Sequence, residues 1–209
     1  MTTKTSSVRG RPRRFDPDEA LVTAQRLFHA QGYDGVSVTD LTKALGINPP
    51  SFYAAFGSKA KLYAKILDRY ALTGAVPLVQ ILRADRPLAI SLAQILEQAA
   101  RSYAADPLAT GCMVLEGTRS NDLEAREAAC GFHLAAQDVI RNSIAEHYPL
   151  EADRLADFVS TTMAGLSASA RHGQSLDRLL ATARLAGLAI AQVLPALTTS
   201  KSSGRSDSG

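Results

Sequence analysis

The run Gly46-Ile47-Asn48-Pro49-Pro50-Ser51-Phe52-Tyr53-Ala54-Ala55-Phe56-Gly57 restricts this chain more than any other stretch. Two adjacent prolines break a helix that reaches them and have no place in a central strand. They do fit the first turn of a new helix, where backbone N–H groups have no intrahelical partner. Asn48 is a good N-cap for that helix, and Gly57 is a natural stop. The spacing therefore predicts a short helix over 49–56. Phe52 and Phe56, four apart, share its inner face, and Asn48, Pro49, Pro50, Ser51, Tyr53 and Ala54 form the opposite one.

The same punctuation recurs on both sides. Asp16-Pro17-Asp18-Glu19 predicts a capped helix start, with Glu19 completing a capping box. Ala20, Leu21, Ala24, Leu27 and Phe28 then recur on one stripe, and Gly32 ends the helix. Ser37-Val38-Thr39-Asp40 is a second capping box. It opens a short helix bearing Val38, Leu41, Ala44 and Leu45, which stops at Gly46. Ser58 caps a fourth, longer helix with Leu62, Ile66 and Tyr70 inward. Two short helices joined at Gly46-Ile47-Asn48 match a helix-turn-helix.

Further helices are expected near 75–83, 87–105, 107–118, 122–147, 152–172 and 175–196, and no strand-like alternation is found. Pro77, Pro87, Pro107 and Pro149 punctuate them. The fold class is thus all-α, with about nine helices: a three-helix head over 15–60, a connector over 59–73 and a helical body over 75–197. The polar basic arm 1–14 and the tail 198–209 are expected to be disordered. The last two helices are dense in small residues, among them Ala164, Gly165, Ala168, Ala181, Ala186 and Gly187.

Residues 1–74 carry 11 Lys and Arg against 6 Asp and Glu, whereas 75–209 carry 12 against 14. A basic first third suggests that this part meets a polyanion. No run of about 18 apolar residues suggests a membrane span, and the N-terminus lacks the apolar block of a secretory signal. Cys112 and Cys130 form neither a metal-spaced cluster nor a disulfide framework, which fits a reducing, cytoplasmic setting. His29, His133, His147 and His172 show no ligand spacing. No metal or cofactor is expected. No nucleophile elbow, H-E-x-x-H, P-loop or Rossmann glycine pattern is present.

The colinear series Leu27-Phe28, Gly32-Tyr33, Ser37-Val38, Asp40-Leu41, Ala44-Leu45-Gly46-Ile47, Ser51-Phe52-Tyr53, Phe56, Ser58-Lys59 and Leu62-Tyr63 resembles the DNA-binding domain of TetR-family transcriptional regulators. Gly111-Cys112-Met113-Val114-Leu115-Glu116 is similar to a stretch seen in some members. The resemblance implies that helix 49–56 enters the major groove of double-stranded operator DNA. It places the Tyr53 hydroxyl, Lys59 and Thr39 on phosphates. Asn48 and Ser51 then face base edges, and Pro50 and Ala54 pack on thymine methyls, beside Pro49. Two departures weaken base reading: Ala55 stands where many members carry a polar or aromatic residue, and the face lacks Arg, Gln and Lys.

Arg9-Gly10-Arg11-Pro12 resembles the core of an AT-hook, which lays arginines in a narrow minor groove. Arg13 and Arg14 would then track phosphates. The resemblance further implies homodimerisation, through helices near 152–172 and 175–196, and an unidentified small-molecule effector. Candidate effector contacts are the apolar Met113, Phe132, Phe158 and Met163, and the polar Arg101, Glu116, Arg119 and His133. Cys112 reads either as a buried, inert thiol or as a sensor. The function implied is a ligand-responsive regulator, with repression favoured over activation. Two alternatives stay open, a DNA-binding protein whose body only dimerises and an all-helical enzyme.

Overall fold

The computed structural model of the chain describes residues 16–83 and 85–194. Among the described residues the chain is helical throughout: α1 (Pro17–Gln31), α2 (Val38–Leu45), α3 (Pro49–Phe56), α4 (Lys59–Thr73), α5 (Leu78–Ile81), α6 (Leu88–Tyr103), α7 (Met113–Gly117), α8 (Leu123–Ala145), α9 (Ala152–Arg171) and α10 (Leu176–Val193). α5 and α7 are little more than single turns.

Helix starts follow the caps written in the sequence. Asp16 Oδ1 accepts from the Asp18 and Glu19 N–H groups, at 2.9 and 3.4 Å. At α2 the box is reciprocal. Ser37 Oγ accepts from Asp40 N–H at 3.1 Å, and Asp40 Oδ2 accepts from Ser37 N–H at 2.9 Å. Asn48 Oδ1 accepts from Ser51 N–H at 2.9 Å, and Ser58 Oγ accepts from Lys61 N–H at 3.0 Å. Two extents depart from the sequence expectation, and the helix expected near 75–83 is the single turn Leu78–Ile81. The helix expected over 107–118 is confined to 113–117, because Asp106 turns the chain by accepting from Leu108 N–H at 2.9 Å and Gly111 takes φ of +78°.

The head packs α1, α2 and α3 around Phe28, Leu41, Phe52 and Phe56. Phe28 and Tyr33 stack at 5.8 Å between ring centroids, and Tyr63 of α4 meets both edge-on at 5.1 and 5.0 Å. α4 belongs to both halves. It packs on α1 and α3, then on α7 and α8, so its 15 residues span about 22 Å from the head to the middle of the body. In the body α6 is flanked by α9 and α10, and α8 crosses α9. Ile95, Leu96, Val159, Leu179 and Ile190 form this part of the core.

Candidate nucleic-acid interface and effector cavity

The turn between α2 and α3 is set by backbone chemistry. Gly46 sits in the left-handed region (φ +66°, ψ +30°) that glycine adopts freely. Ile47 N–H then reaches back to the Thr42 carbonyl at 3.1 Å. The chain leaves this turn extended at Asn48 and enters α3 through the two prolines. Phe52 is fully buried and Phe56 nearly so, which fixes how the helix is rolled on the head. Asn48, Pro49, Pro50, Ser51, Tyr53, Ala54 and Ala55 are all exposed. Tyr53 is 51% exposed and braced edge-on by Phe52 at 5.5 Å.

Lys59 sits at the first turn of α4, with its Nζ 3.9 Å from the centre of the Tyr33 ring. Partial burial holds its ammonium below the ordinary lysine range, against the opposing pull of Asp34 and Asp122. Its neighbour Lys61 is exposed, and no acidic residue occupies that first turn. Thr39 is exposed at the start of α2. The arrangement is an exposed helix face without acidic side chains, beside a helix N-terminus that carries two lysines. Such a surface suits a phosphate backbone.

A second feature lies in the body. A cavity of about 460 Å3 opens between the ends of α4 and α6 and α5, α7, α8 and α9. Ala71, Val76, Pro77, Phe132, Val139 and Met163 give it apolar walls, with Tyr103, Cys112, His133, Gln137 and Ser160 as polar points. Burial pushes the Cys112 thiol up, and also the Tyr70 and Tyr103 hydroxyls within its hydrogen-bonding reach. A thiol so placed stays protonated and packs as a small apolar group. Among the described residues no group of three or more His, Cys, Asp and Glu has metal-binding geometry, and no helix is long and apolar enough to cross a membrane.

Cavity and head are joined through residues 111–113. His29 Nε2, at the end of α1, donates to the Gly111 carbonyl at 3.1 Å. Arg171 of α9 donates to the His29 carbonyl at 3.1 Å and pairs with Glu116 at 3.4 Å. Ser167 Oγ accepts from Cys112 N–H at 2.8 Å, and Tyr63 donates to the Met113 carbonyl at 3.3 Å. A second joint links Asp34, between α1 and α2, to the backbone and side-chain amides of Asn121, at 2.9 and 3.1 Å.

Residues 20–66 match the family model described as bacterial regulatory proteins, tetR family. Over 194 residues the chain is 50% identical to the HTH-type transcriptional repressor BdcR of Escherichia coli (strain K12), an alignment covering 93% of this chain and 98% of that relative. The chain belongs to the TetR family of bacterial regulatory proteins. It is therefore a transcriptional regulator and not an enzyme. The HTH-type transcriptional repressor ComR of the same organism is 31% identical over 185 residues, covering 82% of this chain and 87% of its own. Among solved structures, a cysteine mutant of the TetR-family regulator CifR, complexed with 26-bp double-strand operator DNA, matches with a TM-score of 0.75 and 31% identity. That match covers 86% of this chain and 99% of the other.

In this TetR-family chain the sequence candidates for DNA contact Thr39, Asn48, Pro49, Pro50, Ser51, Tyr53 and Ala54 are exposed, and Lys59 is half-buried. Arg9, Arg11, Arg13 and Arg14 lie outside the described residues. Of the effector candidates, Cys112, Phe132, His133 and Met163 line the cavity. The other five are placed elsewhere. Met113 is buried in the core. Glu116 pairs with Arg119 at 2.9 Å as well as with Arg171, and Arg101 pairs with Glu97 at 3.3 Å. Phe158 is exposed on the outer side of α9. The Glu116–Arg119 and Glu97–Arg101 pairings have i, i+3 and i, i+4 spacing and were visible in the sequence, whereas Glu116–Arg171 was not. The lining residues Ala71, Tyr103, Gln137 and Ser160 were missed, since nothing in their local pattern marks a void.

Proposed function

We propose that this chain is a repressor that binds a two-fold-symmetric operator as a homodimer and leaves it when a small molecule fills the body cavity. The observation that carries this reading is α3, which buries Phe52 and Phe56 and offers every other side chain to a groove. In this reading residues 15–60 read DNA, 59–73 connect, and 75–197 dimerise and sense. Tyr53, Lys59 and Thr39 contact phosphates. Asn48 and Ser51 meet base edges, and Pro49, Pro50 and Ala54 supply apolar contact. The repressor names of BdcR and ComR, and the operator DNA bound to CifR, favour this reading.

A helix of eight residues reads too few base pairs to select one site in a genome. A two-fold dimer doubles the readout, with half-sites about 34–36 Å apart. Exposed apolar side chains on the last two helices support such a dimer. Leu185 and Leu188 of α10 are 69% and 65% exposed, near Ala181 and Ala189. On α9, Phe158, Ala164 and Gly165 are exposed, and a Cβ built on Gly165 meets nothing within 4 Å. Large unpartnered apolar patches mark association surfaces.

The cavity's position supports release by an effector. Ala71 and Leu72 at the end of α4 line it, while Lys59 at the other end of α4 stands beside the reading helix. A ligand that favours one placement of α4 shifts the spacing of the two readers by its differential affinity for the two states.

The test is selection of random duplexes on the purified full chain, together with light scattering. A palindromic site and a dimer mass are expected. A monomer mass, or enrichment of sites without symmetry, contradicts the reading. Deleting residues 1–14 should lower the log–log salt slope by about 0.9 for each lost phosphate contact.

A further inference from the structure

The walls of the body cavity carry information about its ligand in what they omit. Among its described lining residues, the polar groups are Gln80, Tyr103, Cys112, His133, Gln137 and Ser160. None is a carboxylate, an ammonium or a guanidinium. Two charged side chains that adjoin lining residues in the chain, Asp138 and Glu116, are engaged elsewhere. Asp138 accepts from Arg141 at 2.7 Å, and Glu116 is held by Arg119 and Arg171. Asp157, outside the lining, accepts from the Gln137 side-chain amide at 2.7 Å and so orients it. The cavity thus offers uncharged hydrogen-bonding groups in an apolar shell.

That composition selects by charge. Moving an ion from water into a site without a counter-charge is penalised far more than moving a hydroxyl or a carbonyl that finds one hydrogen bond. The mouth adds to the bias: Leu72 and Val79 border it, 88% and 74% exposed. The volume lies within the roughly 300–1,000 Å3 usual for sites that enclose a drug-sized molecule. The Cys112 thiol does not convert it into a covalent trap. The residue is 8% exposed and stands between two tyrosine hydroxyls, whereas attack on an electrophile needs an accessible thiolate.

We infer that the cavity binds, without covalent chemistry, an uncharged and mostly apolar organic molecule (an alcohol, ketone, ester or phenol in class) and discriminates against carboxylates and ammonium ions. This inference rests on the effector role proposed above and specifies its chemistry.

The test uses the full chain, the neutral fluorophore N-phenyl-1-naphthylamine, and three competitors of one chain length: decanol, decanoate and decylamine. All are used below their micelle concentrations in mildly alkaline buffer. The fluorophore should bind, and decanol should displace it at a concentration at least about tenfold lower than either ion. Ala136→Trp and Ala71→Trp, which fill the cavity from α8 and from α4, should each reduce fluorophore binding at least about tenfold. A thermal melt confirms folding, and either variant suffices. Decanoate or decylamine competing as well as decanol overturns the inference. If that ion also releases operator DNA, the effector role survives without it. Fluorophore binding unchanged in a folded variant overturns the assignment to this cavity. A folded chain that binds its operator but none of these probes overturns the inference and the effector role together.

Discussion

In the head, α3 spends all eight of its residues on two tasks. Phe52 and Phe56 hold it down, and the rest face outward. In the body, no single helix makes the cavity. Its walls come from the end of α4 and from α5, α6, α7, α8 and α9, and the residues that line it are separated by up to about 90 positions in the chain. The head's site is a surface fixed by local punctuation. The body's site is a space left between elements. A surface of the first kind is disturbed by losing one anchor, whereas a space of the second kind is disturbed by changing what fills it or what ties its walls together.

The largest expected effect follows from this contrast. Phe52 is 0% exposed, and Phe52→Ala removes the anchor that rolls α3 outward. A loss of about 3–5 kcal/mol is expected from an aromatic truncation in a core, seen as a lower melting temperature by circular dichroism and as lost operator binding. The α9 and α10 surface is far from this residue, so the dimer mass should persist. Operator affinity within twofold of wild type would break the comparison.

The next effect compares two glycines in the left-handed region. Gly46 in the head has open space where a Cβ would stand. At Gly111 in the body a Cβ would lie 3.0 Å from Arg171 Cγ and from Ser167 Oγ. Gly46→Ala should cost about 1 kcal/mol of backbone strain. Gly111→Ala adds a clash at the joint between head and cavity and should cost about 2–3 kcal/mol. With about 2–4 °C per kcal/mol for a chain of this size, differential scanning should separate the two. Equal shifts would show that the 111–113 joint is looser than its contacts imply.

A smaller effect sharpens the same joint. Burial holds the His29 imidazole below the ordinary histidine range. The Gly111 carbonyl opposes this, Arg171 adds to it, and Asp106 opposes it more weakly. The unfolded chain therefore takes up this proton at higher pH than the folded one. Stability from this group is full above about pH 6.5 and is lost as pH falls through the depressed folded value. Melting temperatures should drop as pH falls below about 6.5, and His29→Gln should flatten that drop. An unchanged slope would remove His29 from the pH response.

These differences also explain what could be read in advance. Asn48-Pro49-Pro50, Ser37 with Asp40, and Gly46 each act within four residues, so the helix-turn-helix and its exposed face were legible. Lys59 shows the limit, because its perch over Tyr33 depends on a ring packed from the distant turn between α1 and α2. In the body, helix existence was legible but the extents of α5 and α7 were not: α5 is the single turn Leu78–Ile81, and the Asp106 turn and Gly111 shortened α7. Of the cavity, Cys112, Phe132, His133 and Met163 were named. Arg101, Glu116 and Arg119 look like ligand contacts only until their neighbours on the same helix turn are counted. Phe158 has the composition of a core residue but falls outside the Leu155, Ala156, Val159 stripe.

Operator affinity of Tyr53→Ala, measured on the selected duplex beside melting temperature and dimer mass, probes the outward face of α3 most directly. Tyr53 is half exposed, so its loss should leave fold and dimer intact. Affinity should fall by about tenfold or more, equivalent to about 1.4 kcal/mol. An undiminished affinity in a folded, dimeric variant would contradict the assignment of this helix as the DNA reader.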